Sequence, residues 1–226
     1  MVPSAYVHIP FCDSICAYCD FVRIQKNELF FSSWKEKLIQ EIQEYKISSL
    51  HTLYFGGGTP SLLSVDDFAS IRNCFPKNID EFTVECNPES LDEDKLNAYV
   101  ALGVNRISLG VQSFKDDLLK ICHRTHTASQ AISVIENIKK SSISTFSIDL
   151  IFGLPNQTME DVKKDISTFL SLVQNASIPS GIDFKFDDNL ICSKYIFDAK
   201  AYLPISLIVS GILTSKKLEI EYISNL

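Results

Sequence analysis

Three cysteines lie in one short segment, at Cys12, Cys16 and Cys19, directly after an apolar run that is typical of a strand. Three thiolates at this CxxxCxxC spacing can each bind one iron of a cubane 4Fe–4S cluster. Clusters that only carry electrons are usually held by four cysteines, and no fourth cysteine lies close in the sequence. The spacing therefore predicts a 4Fe–4S cluster with one iron left open for a ligand.

Two other uses of these cysteines stay open at this point. A structural zinc site has four protein ligands, so it would need His8 or a distant residue to complete the set. A disulfide would use only two of the three thiols, and a total of seven cysteines does not favour a disulfide framework. The chain shows no basic start followed by an apolar signal segment, so we expect a reducing, cytoplasmic environment.

Composition narrows the classes of function. The 226 residues are 46% hydrophobic, enough for a sizeable core, and the formal net charge is −7. An acidic chain without a basic stripe does not fit a non-specific nucleic-acid binder. The longest apolar stretch, 202–213, is interrupted by Pro204 and Gly211 and is too short to cross a bilayer. We expect neither a nucleic-acid partner nor a stable membrane span.

Strand-like and helix-like segments alternate along most of the chain. The predicted strands are 5–9, 52–55, 82–86, 105–111 and 145–152, and amphipathic segments at helical spacing separate them. Capping-box patterns indicate helix starts at Ser90 and Thr127, and Thr158 opens a further helix. The alternation predicts an α/β fold with repeated βαβ units, either a partial barrel of about five units or a flat doubly wound sheet.

Polar and glycine-rich motifs follow the carboxyl ends of the predicted strands. Besides the cysteine loop, they are 56–60 (GGGTP), 85–88 (ECNP), 110–113 (GVQS) and 149–155 (DLIFGLP). In parallel α/β folds this edge of the sheet carries the active site. The sequence therefore predicts one site that is assembled from five strands.

The charged residues at this edge suit a ligand that carries one positive and one negative charge. Glu85 ends an apolar strand, where a carboxylate is costly unless it is paired, and Arg124 supplies the opposite charge. The two side chains could bind the ammonium and carboxylate of an amino acid, or simply each other. The triple glycine could expose backbone amides to a ligand or form a tight turn. Gln112 and Asp149 could bind ribose hydroxyls or tie loops together.

Taken together, these motifs resemble a known family. Segments 6–21 (YVHIPFCDSICAYCDF), 55–60, 85–88, 110–114 and 149–155 are similar, in order and in spacing, to the radical S-adenosylmethionine (SAM) superfamily. More narrowly, they resemble the oxygen-independent coproporphyrinogen III oxidase-like family and its HemW-type haem chaperone branch. The resemblance implies a TIM-like radical SAM core barrel over 1–174 and leaves 175–226 without an assigned domain.

The resemblance also implies roles for individual residues. Cys12, Cys16 and Cys19 would hold the cluster, and the open iron would bind the methionine end of SAM. The residues that would line or contact SAM are Tyr6, Tyr18, Gly57, Gly58, Thr59, Glu85, Gln112, Arg124 and Asp149. A flavodoxin or ferredoxin would supply electrons for reductive SAM cleavage, and haem or a porphyrinogen would be the cargo or substrate.

Two departures from the family pattern separate the candidate functions. The oxidases carry a further cysteine two residues after the third, and this chain has Phe21 there. This difference favours a haem chaperone over a decarboxylating coproporphyrinogen oxidase. Resemblance and periodicity both stop near 172, although 182–186 alternates like a strand, and no HNxxYW motif follows. We expect an altered or truncated C-terminal part, and an inactive relic is the third alternative.

Overall fold

The computed structural model describes residues 4–173 and the backbone of residues 195–196 and 205–210. The strands are β1 (Ser4–Ile9), β2 (Phe11–Cys12), β3 (Ile24–Gln25), β4 (Thr52–Gly57), β5 (Glu81–Cys86), β6 (Arg106–Gln112), β7 (Thr145–Ile151), β8 (Tyr195–Ile196) and β9 (Ile205–Ser210). The helices are α1 (Glu28–Glu44), α2 (Val65–Arg72), α3 (Glu93–Ala101), α4 (Asp116–Ile121), α5 (Ala128–Lys140) and α6 (Met159–Leu172). The predicted strand over 182–186 lies outside the described residues.

Seven of the nine strands form one sheet in the order β1-β4-β5-β6-β7-β9-β8, and β2 and β3 form a separate two-stranded sheet. Neighbouring strands are parallel except for the antiparallel pair β8–β9. A doubly wound sheet reverses its strand order at a switch point, whereas β1, β4, β5, β6 and β7 follow each other in chain order. The partial barrel of five βα units is therefore confirmed.

An aromatic cluster anchors the helices behind the sheet. Phe55, Phe68, Phe82 and Tyr99 are all fully buried, and the ring centroids of Phe68 and Tyr99 are 4.3 Å apart. Side chains alternate between the two faces of a strand, so Phe55 and Phe82 pack toward α2 and α3. Tyr54 and the other side chains of the opposite face are left to line the inside of the partial barrel.

The helix starts are confirmed at two of the three predicted positions. Thr127 and Thr158 each form a capping box with the side chain three residues later. The prediction for Ser90 is wrong, because the side chain of Asp92 caps α3 by accepting a hydrogen bond from Lys95 N. Ser90 instead ends a 3₁₀ turn, where its hydroxyl lies 2.6 Å from that of Ser61.

Candidate functional site

The carboxyl ends of the first five parallel strands surround a cavity of about 550 Å³. Of the residues predicted for the site, all but Tyr6 line this cavity. The predicted residues that line it are Cys12, Cys16, Tyr18, Cys19, Gly57, Gly58, Thr59, Glu85, Gln112, Arg124 and Asp149. Motifs that are separated by more than a hundred residues in sequence therefore converge on one space. Tyr54, Asn87, Glu89 and Ser108 also line it, and sequence analysis did not single them out.

Tyr6 lies outside the cavity lining. It is on β1 at the edge of the sheet, is 58% exposed, and its hydroxyl hydrogen-bonds to His8 Nδ1 at 3.0 Å. Its register partner on β4 is Tyr54, which does line the cavity. The alternation of residues along β4 is the signal that could have identified Tyr54, two residues before the triple glycine.

Two of the three cysteine sulfurs accept hydrogen bonds inside the cavity. Thr59 Oγ1 donates to Cys12 Sγ at 3.5 Å, and Arg124 Nη1 donates to Cys16 Sγ at 3.6 Å. Burial raises the pKa of the Cys12 thiol, while the Thr59 hydrogen bond opposes that rise. Donors directed at sulfur favour thiolates, as found around iron–sulfur ligands. Together with Cys19 on the same wall, this donor set fits a 4Fe–4S cluster.

A single metal ion and a cubane cluster require different arrangements of the three thiols. Within residues 4–173, no three Cys, His, Asp or Glu side chains converge closely enough to hold a single metal ion. A zinc ion needs thiolate sulfurs at about 2.3 Å from one centre. In a cubane, each thiolate instead binds its own iron, so the sulfurs stay spread around a larger volume.

Backbone hydrogen bonds hold the cysteine loop in place. Ile24 N donates to Pro10 O at 2.7 Å, and Lys26 N donates to Cys12 O at 2.8 Å. These bonds pair β2 with β3 on either side of the loop. A loop closed at its base in this way presents its three thiols in a restricted set of positions.

The triple glycine permits close backbone approach, and the amides of Gly57 and Gly58 donate to acceptors within the protein. Gly57 N donates to Glu85 Oε2 at 2.9 Å, and Gly58 N donates to Ile9 O at 2.7 Å. A Cβ on Gly58 would lie 2.7 Å from Phe11 O, so no side chain fits there. Gly57 has φ +120°, a conformation that L residues rarely adopt. The glycines thus bring the end of β4 against the cysteine loop.

Glu85 is held by neutral donors. Its carboxylate accepts hydrogen bonds from Tyr54 Oη at 2.7 Å and from Gly57 N at 2.9 Å. Burial, with a further contribution from the Glu85 charge, raises the pKa of Tyr54. The alternative in which Glu85 and Arg124 pair with each other is wrong, because Arg124 instead forms an ion pair with Glu89.

Arg124 pairs with Glu89, which sequence analysis missed. Its Nη2 lies 3.7 Å from Glu89 Oε2 and donates to Gly110 O at 2.9 Å. His126 is buried behind the pair, with Nδ1 3.1 Å from Glu89 Oε2 and Nε2 3.1 Å from Val111 O. Burial raises the pKa of Glu89, but the hydrogen bond from His126 and the Arg124 charge outweigh it and lower the pKa. Arg124 Nε is buried with no partner among the described residues.

Strand β6 ends in a strained segment at the cavity. The register between β6 and β7 shifts between Gly110 and Gln112, and Gln112 has φ +68°. A non-glycine residue in this left-handed region costs on the order of 1–3 kcal/mol, and such residues cluster at functional sites. Gln112 is 7% exposed and lines the cavity beside Asp149, the register partner of Gly110.

Comparison with known proteins identifies the family. The sequence profile of the Radical SAM superfamily matches residues 6–169. The chain belongs to the radical SAM superfamily. The use of a 4Fe–4S cluster and SAM follows from that membership.

No helix within residues 4–173 is long and apolar enough to cross a membrane.

Within the superfamily, the chain is similar to HemW-type proteins. It is 44% identical over 174 residues to the heme chaperone HemW of Lactococcus lactis, covering 75% of this chain and 46% of that protein. Its identity to heme chaperone HemW of Bacillus subtilis is 36%, over 75% of this chain and 47% of that protein. The chain thus spans about half the length of the curated relatives it matches. Recognition of the HemW-type branch from the sequence motifs is confirmed.

Solved structures of radical SAM proteins share the fold. Coproporphyrinogen III oxidase (HemN) from Escherichia coli aligns with a TM-score of 0.69 at 25% identity, over 76% of this chain and 42% of that one. The radical SAM methyltransferase TsrM from Kitasatospora setae aligns with a TM-score of 0.52 at 16% identity. The alignment covers 76% of this chain and 34% of that one. The second likeness, at low identity, shows the fold alone.

Proposed function

We propose that this chain binds a 4Fe–4S cluster and SAM and acts in the cytoplasm as a HemW-type haem chaperone. The observation that carries the proposal is the convergence of Cys12, Cys16 and Cys19 with the SAM-assigned residues on one cavity. The bound cluster and SAM supply one-electron reductive chemistry. The residues of the chain bind and orient the two groups, and a reductant such as flavodoxin or ferredoxin supplies the electron.

The charges in the cavity suit the zwitterionic methionine end of SAM. Among the described residues, Glu85 accepts hydrogen bonds from neutral donors and forms no ion pair, so its carboxylate is available to an ammonium group. Arg124 lines the same cavity and carries a guanidinium that can donate to a carboxylate. Charge-assisted hydrogen bonds of this kind are stronger than those between neutral groups. Each residue was predicted for SAM, and we propose that each binds one of the two charges.

Polar side chains at the neighbouring strand ends suit the nucleoside part of SAM. Gln112 and Asp149 lie on the adjacent strands β6 and β7 and line the same cavity. Amide and carboxylate oxygens can accept hydrogen bonds from ribose hydroxyls. Tyr18 adds a largely buried ring beside the cysteines, and burial raises the pKa of its hydroxyl. We assign Gln112 and Asp149 to ribose recognition and Tyr18 to the cofactor wall.

Phe21 favours haem as cargo over a porphyrinogen as substrate. It lines the cavity, is 63% exposed, and occupies the position at which the oxidases carry an extra cysteine. A phenyl ring offers neither a metal ligand nor a proton donor, whereas its apolar face can pack against a planar macrocycle. We therefore propose that the chain binds haem and does not decarboxylate coproporphyrinogen.

Haem titration and a decarboxylation assay test this assignment. The protein, reconstituted anaerobically with iron and sulfide, is titrated with haem while the Soret band is followed. We expect saturable binding and no carbon dioxide release from coproporphyrinogen III in the presence of SAM and a reductant. Phe21→Ala is expected to weaken haem binding, whereas Phe30→Ala, at an exposed phenylalanine on α1, should not. Absence of saturable haem binding, or detectable decarboxylation, would contradict the proposal.

A further inference from the structure

A buried carboxylate connects helix α6 to the segment after strand β6. Asp165 is 3% exposed, and its oxygens accept hydrogen bonds from Ser113 Oγ at 2.7 Å and from Phe114 N at 2.8 Å. The Ser113 hydroxyl is itself fully buried and accepts a hydrogen bond from Lys115 N at 3.1 Å. One side chain of α6 therefore fixes the chain over 113–115.

The residue that directly precedes this fixed segment is the strained Gln112. Its φ of +68° follows an irregular step in the register between β6 and β7. Such a conformation persists only where the surrounding structure holds it in place. The hydrogen bonds of Asp165 begin at the next residue along the chain, so they restrict the conformations that Gln112 can adopt.

Stability alone does not favour a carboxylate at this position. No Lys, Arg or His among the described residues forms an ion pair with Asp165, and Lys115 Nζ instead pairs with Asp161 at 2.8 Å. Burial raises the pKa of Asp165, although the hydrogen bonds from Phe114 and Ser113 oppose the rise. Burying an unpaired carboxylate is costly even when it accepts hydrogen bonds.

We propose that Asp165 is a positioning residue for SAM binding. By holding Ser113 and Phe114, it keeps Gln112 in the left-handed conformation in which its side chain lines the cavity. Asp165 itself does not line the cavity, so its effect on a ligand passes through Gln112. The inference rests on the proposed function, because it assumes that Gln112 contacts SAM.

A double-mutant cycle on the reconstituted full chain tests the inference. The dissociation constant for SAM is measured by equilibrium dialysis for wild type, Gln112→Ala, Asp165→Ala and the double variant. We expect each single substitution to raise the constant about tenfold, the loss of roughly one hydrogen bond to a charged group. If Asp165 acts through Gln112, the double variant binds SAM no more weakly than Gln112→Ala alone.

A second readout does not depend on a bound cofactor. Amide hydrogen exchange over 112–115, measured without cluster or SAM, should become faster in Asp165→Ala and less so in Asp165→Asn, which keeps one acceptor oxygen. Thr127→Ala is the matched control, because Thr127 caps the neighbouring helix α5 and its side chain hydrogen-bonds only to Ser129 and Gln130 of that helix. This control should lower the melting temperature without changing SAM affinity or exchange over 112–115.

The outcomes separate the inference from the function on which it rests. If Gln112→Ala weakens SAM binding and Asp165→Ala does not, the positioning role is wrong while the SAM site stands. If Gln112→Ala leaves SAM affinity unchanged, the assignment of Gln112 to SAM fails, and the inference fails with it. Should Asp165→Ala not fold, the same comparison is made with Asp165→Asn, for which wild-type affinity and wild-type exchange would overturn the proposal.

Discussion

Arg124 donates a hydrogen bond to the sulfur of Cys16, at 3.6 Å between Nη1 and Sγ. The guanidinium is almost completely buried, with 5% of its side chain exposed, so water does little to screen its charge. The charges of Tyr18, Glu89 and Cys16 raise the pKa of Arg124 even though burial, the largest influence, lowers it. A permanent cation therefore faces one of the three proposed cluster ligands.

The first prediction concerns the reduction potential of the cluster. Hydrogen bonds and positive charge at a ligand sulfur stabilise the reduced cluster, which carries more negative charge. Arg124→Gln should therefore shift the midpoint potential to more negative values, on the order of tens of millivolts. An EPR-monitored redox titration measures the shift.

Arg106→Gln is the matched control for that titration. Arg106 begins the same strand β6, hydrogen-bonds to Thr83 and does not line the cavity. Its substitution should leave the potential unchanged. Equal potentials for Arg124→Gln and wild type would show that the contact with Cys16 does not affect the cluster.

The second prediction tests the packing of the triple glycine. A methyl group on Gly58 would meet the backbone of Phe11, which cannot rotate away as a side chain can. We expect Gly58→Ala to lower the free energy of unfolding by about 2 kcal/mol or more and to reduce cluster loading. Urea denaturation and iron analysis measure the two effects.

Gly103→Ala provides the comparison for Gly58→Ala. The nearest atom to a Cβ on Gly103 is 3.7 Å away, so only its φ of +91° opposes a side chain. Gly103→Ala should therefore lower the free energy of unfolding by about 1 kcal/mol and leave cluster loading unchanged. If Gly58→Ala loaded iron as wild type does and lost no more stability than Gly103→Ala, the close-packing account would be wrong.

The third prediction compares two histidine–carboxylate contacts. His126 is fully buried against Glu89, whereas His51 contacts Asp80 at the surface, with 65% of its side chain exposed. His126→Ala should reduce the free energy of unfolding by about 2–3 kcal/mol, because it leaves Glu89 and the Val111 carbonyl short of a donor.

His51→Ala should lower the free energy of unfolding by less than about 1 kcal/mol, because exposed ion pairs contribute little to stability. Chemical denaturation of both variants at neutral pH measures the difference. Similar losses in the two proteins would contradict the view that the Glu89–His126 contact holds the site together.

The fourth prediction concerns pH. A hydrogen bond from Lys115, with further bonds from Thr158, lowers the pKa of Asp161 to about 2. An acid whose pKa is lower in the folded state stabilises the fold above its unfolded value of about 3.9, and this stabilisation disappears as pH falls toward 2. The melting temperature of wild type should therefore exceed that of Asp161→Asn at pH 6, and the gap should shrink between pH 4 and 2. A difference in melting temperature that does not change with pH would show that the lowered pKa of Asp161 is not its cause.

Local sequence signals were sufficient for the fold and for most of the cavity lining. The CxxxCxxC loop and the motifs after each strand are short-range patterns, and the order of the parallel strands brings them to one edge. Thr127 and Thr158 were identifiable as helix starts for the same reason, because a capping box involves only four consecutive residues.

The partners of individual charges could not be predicted in the same way. A pair between Arg124 and Glu85 was one of two alternatives from the sequence, but Arg124 pairs with Glu89, which lies in the 3₁₀ turn over Pro88–Ser90. That geometry depends on how a turn directs one side chain across the cavity, which sequence spacing does not reveal. The role of the triple glycine was missed because it depends on the distance between β4 and the loop at Phe11.

The most direct test of the account is EPR of the reconstituted, dithionite-reduced protein with and without SAM. We expect a 4Fe–4S signal that shifts when SAM is added and that is lost in Cys16→Ala but kept in Cys74→Ala, whose thiol does not line the cavity. Such a shift would show that SAM binds at the open iron beside the three cysteines. A protein that forms no cluster, or a cluster whose signal does not respond to SAM, would contradict the proposed site.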